Sequence, residues 1–242
     1  RVVISQLIRS SGVFFTARRL KGQNLFGAKI IPDRGAWLEF ETDSDGSIEV
    51  KIDRRRKVSV TTLLKVFADL EAKQKNKKNL ANNKNLTNED IKALFAGVND
   101  SETDFIEATL EKDVSKDQNE AYTEIYKKIR PGDLATVDNA RSFIEALFSF
   151  ERYDLKEVGR WKMNQRLALS ENQMPKKGKV GYEDLAKSDK DIGQEERVLS
   201  FDDLVGIIRE IIRLNNTPGS LPDDIDHLGN RRVRALGELI QN

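Results

Sequence analysis

The chain contains no cysteine and a single histidine, His227. The first absence excludes a disulfide framework and any thiolate metal site, and it fits a reducing cytoplasm, the expected location. The second rules out a multi-histidine metal centre and leaves His227 as the lone imidazole for acid–base work. No nucleophile stands in a recognisable context with it, so a free-standing hydrolase has little support and a hydrogen-bonding role for His227 is the plainer reading. No apolar run approaches the roughly 20 residues that cross a bilayer, and there is no signal-peptide pattern, so no membrane partner is expected. Glycine-rich phosphate loops of standard spacing, His-x-x-x-His pairs and Gly-x-Ser-x-Gly elbows are also missing. Neither sign of charge is in excess: Lys+Arg 41 against Asp+Glu 40 leaves a formal charge of +1. That balance argues against coating nucleic acid by bulk charge, while local patches stay possible. With 40 acidic residues, carboxylate pairs arise everywhere by chance, so none marks an active site.

What remains is a chain of 242 residues with 38% hydrophobic and 33% charged residues, long enough to bury a core as one large domain or two small ones. It opens inside a strand-like run at Arg1-Val2-Val3-Ile4 and closes inside a helical pattern at Glu238-Leu239-Ile240-Gln241-Asn242. Both ends read as cuts in a larger polypeptide.

The first third is β-like, with short runs rich in Val, Ile and Phe over Val2 to Leu7, Gly12 to Thr16, Ala28 to Ile31, Ala36 to Thr42 and Ser47 to Asp53. Apolar and polar residues alternate from Leu38, and Ser44-Asp45-Gly46-Ser47 is a strong hairpin turn because Asp-Gly tolerates positive φ. Leu38, Phe40, Ile48, Val50 and Ile52 should therefore point inward. After Arg54-Arg55-Arg56-Lys57 the period turns helical: Ser59 can cap Val60 to Glu71, with Leu63, Leu64, Phe67 and Leu70 on one stripe. Lys73 to Asn85 has almost nothing to bury and reads as a loop. Helices are predicted over Asn88 to Ala96, Asp104 to Leu110, Gln118 to Ile129, Val137 to Phe148 and Leu155 to Gln165. A Lys-, Gly- and Pro-rich loose stretch is expected from Met174 to Asp191, extending toward 199. Ser200 and Asp203 form a capping-box-like pair opening a helix to about Asn215, and Asn230 to Ile240 looks helical again. The class is α+β: short antiparallel strands in the N-terminal third, a mostly helical remainder from 58 to 217, and a return segment from 218 to 242.

Three features could carry chemistry. The basic run Arg54, Arg55, Arg56 is either a solvated turn or a phosphate contact, since guanidinium forks match phosphate oxygens. Trp37, preceded by Gly35-Ala36 that allow close approach, is either core or a stacking platform for an unpaired base. In Asp223-Asp224-Ile225-Asp226-His227-Leu228-Gly229-Asn230-Arg231-Arg232-Val233-Arg234, acids run straight into arginines. A carboxylate such as Asp226 can accept two hydrogen bonds from the N1–H and N2 amino group of guanine, with Arg231 holding a phosphate or base acceptor and keeping the carboxylate ionised. An internal Asp–Arg salt-bridge network accounts for the same residues equally well.

Ordered motifs settle the direction. Arg1-Val2-Val3-Ile4-Ser5-Gln6-Leu7 with Gly12-Val13-Phe14-Phe15, Arg34-Gly35-Ala36-Trp37-Leu38-Glu39-Phe40 with Ile52-Asp53-Arg54-Arg55-Arg56-Lys57, and Arg130-Pro131-Gly132-Asp133 come first. Arg152-Tyr153-Asp154-Leu155 with Val158-Gly159-Arg160 and then Asp224-Ile225-Asp226-His227-Leu228-Gly229-Asn230-Arg231-Arg232 follow. Together they resemble the lobe of the β subunit of bacterial RNA polymerase, with Lys73 to Gln118 and Met174 to Leu199 the weak parts of the match. The resemblance implies one wall of the DNA cleft, contacting downstream duplex DNA and the non-template single strand. It also implies a pocket for an unstacked guanine at Arg9, Ile225, Asp226 and Arg231, Trp37 as the stacking residue beside it, and Arg130 facing the non-template strand. It further implies the α, β′ and ω subunits and a sigma factor as partners, and a return segment leading toward a neighbouring protrusion domain. The catalytic magnesium of that family is held by another subunit, so no cofactor and no catalytic residue are expected in this chain. Arg1 and Ile4 match the edge of the rifamycin pocket.

The chain departs from the family pattern at Ser10-Ser11-Gly12, where Ser-Pro-Gly is usual, and at Leu134, where proline is usual; each should loosen the turn beside its arginine. It also lacks the large insertion that some relatives carry in the middle. A rival reading of another class keeps the polymerase but makes the chain a protein-interaction scaffold with no base reading. A reader should leave Trp37 and Arg231 accessible on one concave face, and a scaffold should bury them.

Overall fold

In the computed structural model, residues 4–20, 22–75, 86–98, 104–167 and 194–241 are described. Arg1 and most of the two loops expected near 73–86 and 174–199 lie outside them.

Alternation of apolar residues in the N-terminal third builds an antiparallel meander. Strands β1 (Gln6–Arg9), β2 (Gly12–Leu20), β3 (Gln23–Ile31), β4 (Leu38–Thr42), β5 (Ile48–Ile52) and β6 (Lys57–Ser59) follow in order, and β2 to β6 form one sheet in sequence order. Leu38, Phe40, Ile48, Val50 and Ile52 are all buried, with Leu38 opposite Ile52 and Phe40 opposite Val50. The β4–β5 turn forms at the Asp-Gly pair: Gly46 has φ 86° and donates to the Asp43 carbonyl at 3.0 Å. The β5–β6 turn was not expected as a hairpin. Asp53 and Arg54 both take positive φ, 52° and 59°, and the Arg55 amide donates to the Ile52 carbonyl at 3.0 Å. That is a type I′ turn made without glycine.

Helices pack on the inner face of this sheet and on one another. They are α1 (Val60–Lys75), α2 (Asn88–Phe95), α3 (Phe105–Glu111), α4 (Gln118–Ile129), α5 (Val137–Leu147), α6 (Lys156–Leu167) and α7 (Phe201–Asn216). Thr87, Asp104, Asp117, Thr136 and Ser200 accept hydrogen bonds from backbone amides at the starts of α2, α3, α4, α5 and α7, and Ser200 with Asp203 completes the anticipated capping box. Ser59 does not take its expected capping role. It ends β6, and its hydroxyl lies 2.7 Å from that of Thr61 and 3.4 Å from the Thr109 carbonyl. Phe15, Ile30, Phe40, Leu63, Tyr122, Tyr153, Leu204 and Ile208 belong to one hydrophobic core shared by sheet and helices. The architecture is α+β.

Two corrections concern the return segment and the strand before it. Asn230 to Ile240 is not one helix: Arg231–Arg234 forms strand β7, paired antiparallel with β1, and only Leu236–Gln241 is helical (α8). A partner strand at the far end of the chain outcompetes local helix propensity. Strand β3 starts five residues earlier than the Val/Ile/Phe content suggested, because its polar half, Gln23 to Leu25, pairs with Arg18 to Leu20 of β2. Near the end of the second expected loop, Val198 and Leu199 are buried core residues, not loose chain.

Candidate nucleic-acid interface

The β1–β7 ribbon sets the first cluster. Its register places Arg9 directly opposite Arg231. Asp226 lies between their side chains: Arg231 Nη2 donates to Asp226 Oδ1 at 2.6 Å, and Arg9 Nη2 sits 4.0 Å from the same oxygen. Both contacts fall on Oδ1, and among the described residues no donor reaches Oδ2. The Asp226 side chain is 68% exposed, so the carboxylate is presented to solvent and not sealed inside a network.

The loop before β7 fixes that presentation. Asp224 Oδ1 accepts the amides of Asp226 and His227 at 3.0 and 3.1 Å, and Asn230 Nδ2 donates to the Asp224 carbonyl at 2.7 Å, closing the loop on itself. His227 Nδ1 accepts the Gly229 amide at 3.1 Å and opens a short 3-10 turn, Leu228–Asn230. The histidine is thus exposed and engaged in loop geometry, with no nucleophile in contact among the described residues. Upstream, Asp223 makes a paired contact with the sheet edge: it accepts the Phe15 amide and donates its own amide to the Phe15 carbonyl, both at 2.8 Å. Ile225 is half-buried between these anchors. The roles of Asp224 and Asn230 escaped the sequence reading, although an aspartate two residues ahead of a loop amide is a recognisable Asx-turn signal.

Trp37 does not join the trio. No contact links its ring to Arg9, Asp226 or Arg231; instead the Arg54 guanidinium lies 5.4 Å from its centroid, and its carbonyl accepts the Asp53 amide at 2.8 Å. The indole is half-buried, and Arg54, Arg55 and Arg56 are exposed on the strained β5–β6 turn beside it. The basic run and the stacking candidate therefore form one patch. The neighbouring outer face of the sheet is self-neutralised by Lys29–Glu39, Lys51–Glu41 and Lys57–Glu49 pairs, so the uncompensated charge sits at the turn.

Gly35 was expected to let a backbone or a base approach closely, and it is a backbone that does so: the Arg152–Tyr153 segment fills the space. The φ of Gly35 is 124°, and a Cβ there would lie 2.8 Å from the Tyr153 ring and 2.9 Å from the Arg152 carbonyl. Arg34 and Asp154 form a β-bridge at this crossing, and Arg197 holds Asp154 with two hydrogen bonds, 3.1 and 2.6 Å. Asp33, four residues before Trp37, pairs with Arg232 at 3.2 Å, and four residues of chain span at most about 14 Å.

The other candidates stand apart. Arg130 ends α4, with its guanidinium 4.6 Å from the Phe143 ring centroid and 3.8 Å from Asp133, and Leu134 nearby is 80% exposed. Ile4 is exposed ahead of β1. Ser10-Ser11-Gly12 is clamped by α6 despite lacking proline: Ser10 and Ser11 are buried, and a Cβ on Gly159 would lie 2.7 Å from Ser11 Oγ. Among the described residues no helix is long and apolar enough to cross a membrane.

Comparison with known proteins gives this geometry its context. The family described as RNA polymerase Rpb2, domain 2, matches residues 86–182 and 173–234, more than half of the chain. The whole chain aligns with proteins named DNA-directed RNA polymerase subunit beta: 45% identical to that of Chloroflexus aggregans over 19% of its length, 42% to that of Dehalococcoides mccartyi over 17%, and 39% to that of Leifsonia xyli over 18%. The chain spans about one fifth of the length of these curated relatives. It belongs to the family of bacterial RNA polymerase β subunits, in the region matched by Rpb2 domain 2.

Proposed function

We propose that this chain acts as the DNA-contacting lobe of the β subunit in an assembled DNA-directed RNA polymerase, and that it reads a guanine on the non-template strand. The observation that carries the reading is the meeting of Arg9, Asp226 and Arg231 at the exposed end of the ribbon, with one carboxylate oxygen held and the other open. The free Oδ2 and the remaining lone pair of Oδ1 can accept the N1–H and N2–H donors that only guanine offers together. The two guanidinium groups neutralise the flanking phosphates and keep Asp226 ionised. Ile225 supplies apolar contact beside the base. The Trp37–Arg54 patch adds a stacking face with a cation alongside, and Arg55 and Arg56 add phosphate contacts. Arg130 faces the same strand farther along, while Ile4 belongs to the edge of the drug pocket.

On this reading the chain binds and positions DNA, and the chemistry of nucleotidyl transfer, with its magnesium, belongs to another subunit. Downstream duplex DNA, the α, β′ and ω subunits and sigma are its partners, in the cytoplasm.

The experiment is Asp226→Ala in the assembled polymerase, with each of the four bases placed at the read position of the non-template strand. The guanine preference should vanish, a loss of about 1–3 kcal/mol, while affinity for plain duplex holds. Equal losses for all four bases would show that the cluster is not a base reader.

A further inference from the structure

One side chain ties the helical layer to the reading site. Lys162 on α6 donates from Nζ to Ser10 Oγ and to the Gly229 carbonyl, both at 3.2 Å. Ser10 directly follows Arg9, and Gly229 lies between Asp226 and Arg231 in the loop. The Ser10 amide donates to the Asn230 carbonyl at 2.9 Å, which extends the ribbon by one more backbone bond. A single ammonium thus bonds both chain segments that deliver the trio, at the point where they leave their ladder.

The ribbon needs such a tether. It has two strands of four residues each, and an isolated two-stranded pair is marginal in water. α6, in contrast, is fixed from behind: Arg160 is buried and makes two hydrogen bonds to Asp203 on α7, 2.7 and 2.5 Å. Gly12 lies against the Lys162 stem, where a Cβ would meet Lys162 Cβ at 3.4 Å. The order of support runs from α7 to α6, through Lys162, to the end of the ribbon.

The charge is not explained by pairing. Among the described residues no carboxylate contacts Lys162, and desolvation holds its pKa below the ordinary lysine value of 10.5. An apolar side chain of similar length would fill the same stem space without that penalty. What it could not do is donate to Ser10 and Gly229 together.

We propose that Lys162 is a positioning residue for base recognition: by bonding the end of β1 and the loop before β7 at once, it sets how Arg9 and Arg231 hold Asp226. The inference rests on the base-reading function proposed above. Lys162 itself need not touch the base.

The test uses polymerase assembled with a β subunit carrying this sequence, and reads the ratio of complex lifetimes with guanine and with each other base at the non-template position. Lys162→Met should shrink the guanine ratio by roughly threefold to tenfold, and Lys162→Arg, which keeps a donor at that reach, should restore most of it. Ser10→Ala, which removes one acceptor and leaves the helix intact, should shift the ratio the same way by less. A merely structural lysine predicts otherwise, with Lys162→Met weakening all four bases alike, and that result overturns the proposal. So does a guanine ratio unchanged in Lys162→Met while the unmodified enzyme shows a clear preference. An unmodified enzyme with no guanine preference removes the base-reading function and the Lys162 role with it, so the two failures are told apart.

Discussion

Arg9 and Arg231 are direct cross-strand neighbours, and both reach the same oxygen of Asp226, at 4.0 and 2.6 Å. Like charges opposite one another destabilise a ribbon, so the aspartate has a structural duty besides its proposed recognition role. Because Asp226 is largely exposed, that duty is small. Asp226→Ala should lower the stability of the chain by less than about 1 kcal/mol, and the deficit should shrink as salt is added. Melting curves at low and high ionic strength check this. A large, salt-independent loss would mean that Asp226 is mainly a structural residue.

The Trp37–Arg54 patch lies apart from the trio, which separates its contribution. Trp37→Ala should weaken binding of the non-template single strand by about 1–3 kcal/mol, equally for all four bases. Strand affinity measured with each base in turn decides it; a loss confined to guanine would place the indole inside the reading pocket.

Arg160 and Asp203 form the buried pair that holds α6 against α7, with side chains 7% and 2% exposed. Asp203→Ala leaves a guanidinium buried without its anion and removes the capping bond to the Ser200 amide. The expected cost is about 3–5 kcal/mol, seen as a lower urea midpoint. Adding Arg160→Met should recover part of it, because no unpaired charge remains.

Asp45 at the β4–β5 turn gives a pH signature. Burial works to raise its pKa, but hydrogen bonds from Lys112 and Ser47 outweigh it and lower the value from 3.8 to about 2. The folded chain therefore binds this proton less readily than the unfolded one. The stabilisation is present above about pH 4 and is lost as pH falls toward 2. The melting-temperature gap between the unmodified chain and Lys112→Met should close as pH is lowered through that window. A gap independent of pH would show that Lys112 stabilises the turn by packing alone.

The sequence disclosed most where its signals are local. The β4–β5 hairpin follows from alternation and Asp45-Gly46, and the α7 capping box from Ser200 and Asp203 three positions apart. It disclosed least where a distant partner decides. Arg231 to Arg234 carries no strand pattern of its own and becomes one because β1 lies alongside, and Gln23 to Leu25 extends β3 because β2 continues opposite. The family likeness led to the expectation that Arg9, Trp37, Asp226 and Arg231 share one spot; three of them meet and Trp37 does not, while chain chemistry alone left a closed salt bridge equally open. The seat of Trp37 was not foreseen: nothing local says that a left-handed Asp53-Arg54 turn will bring a guanidinium over the indole. Lys162 gave no signal at all, being one lysine among many until the fold brings its ammonium to Ser10 and Gly229.

The pairing of β1 with β7 also orders events in time. The strands of the meander can pair as each one is made, since each joins the next, although their shared core closes only when the helices down to Asn216 arrive. Arg9 must wait, with its strand unmatched, until Arg231 to Arg234 have been made, so the Arg9–Asp226–Arg231 cluster is among the last parts of this stretch to take shape.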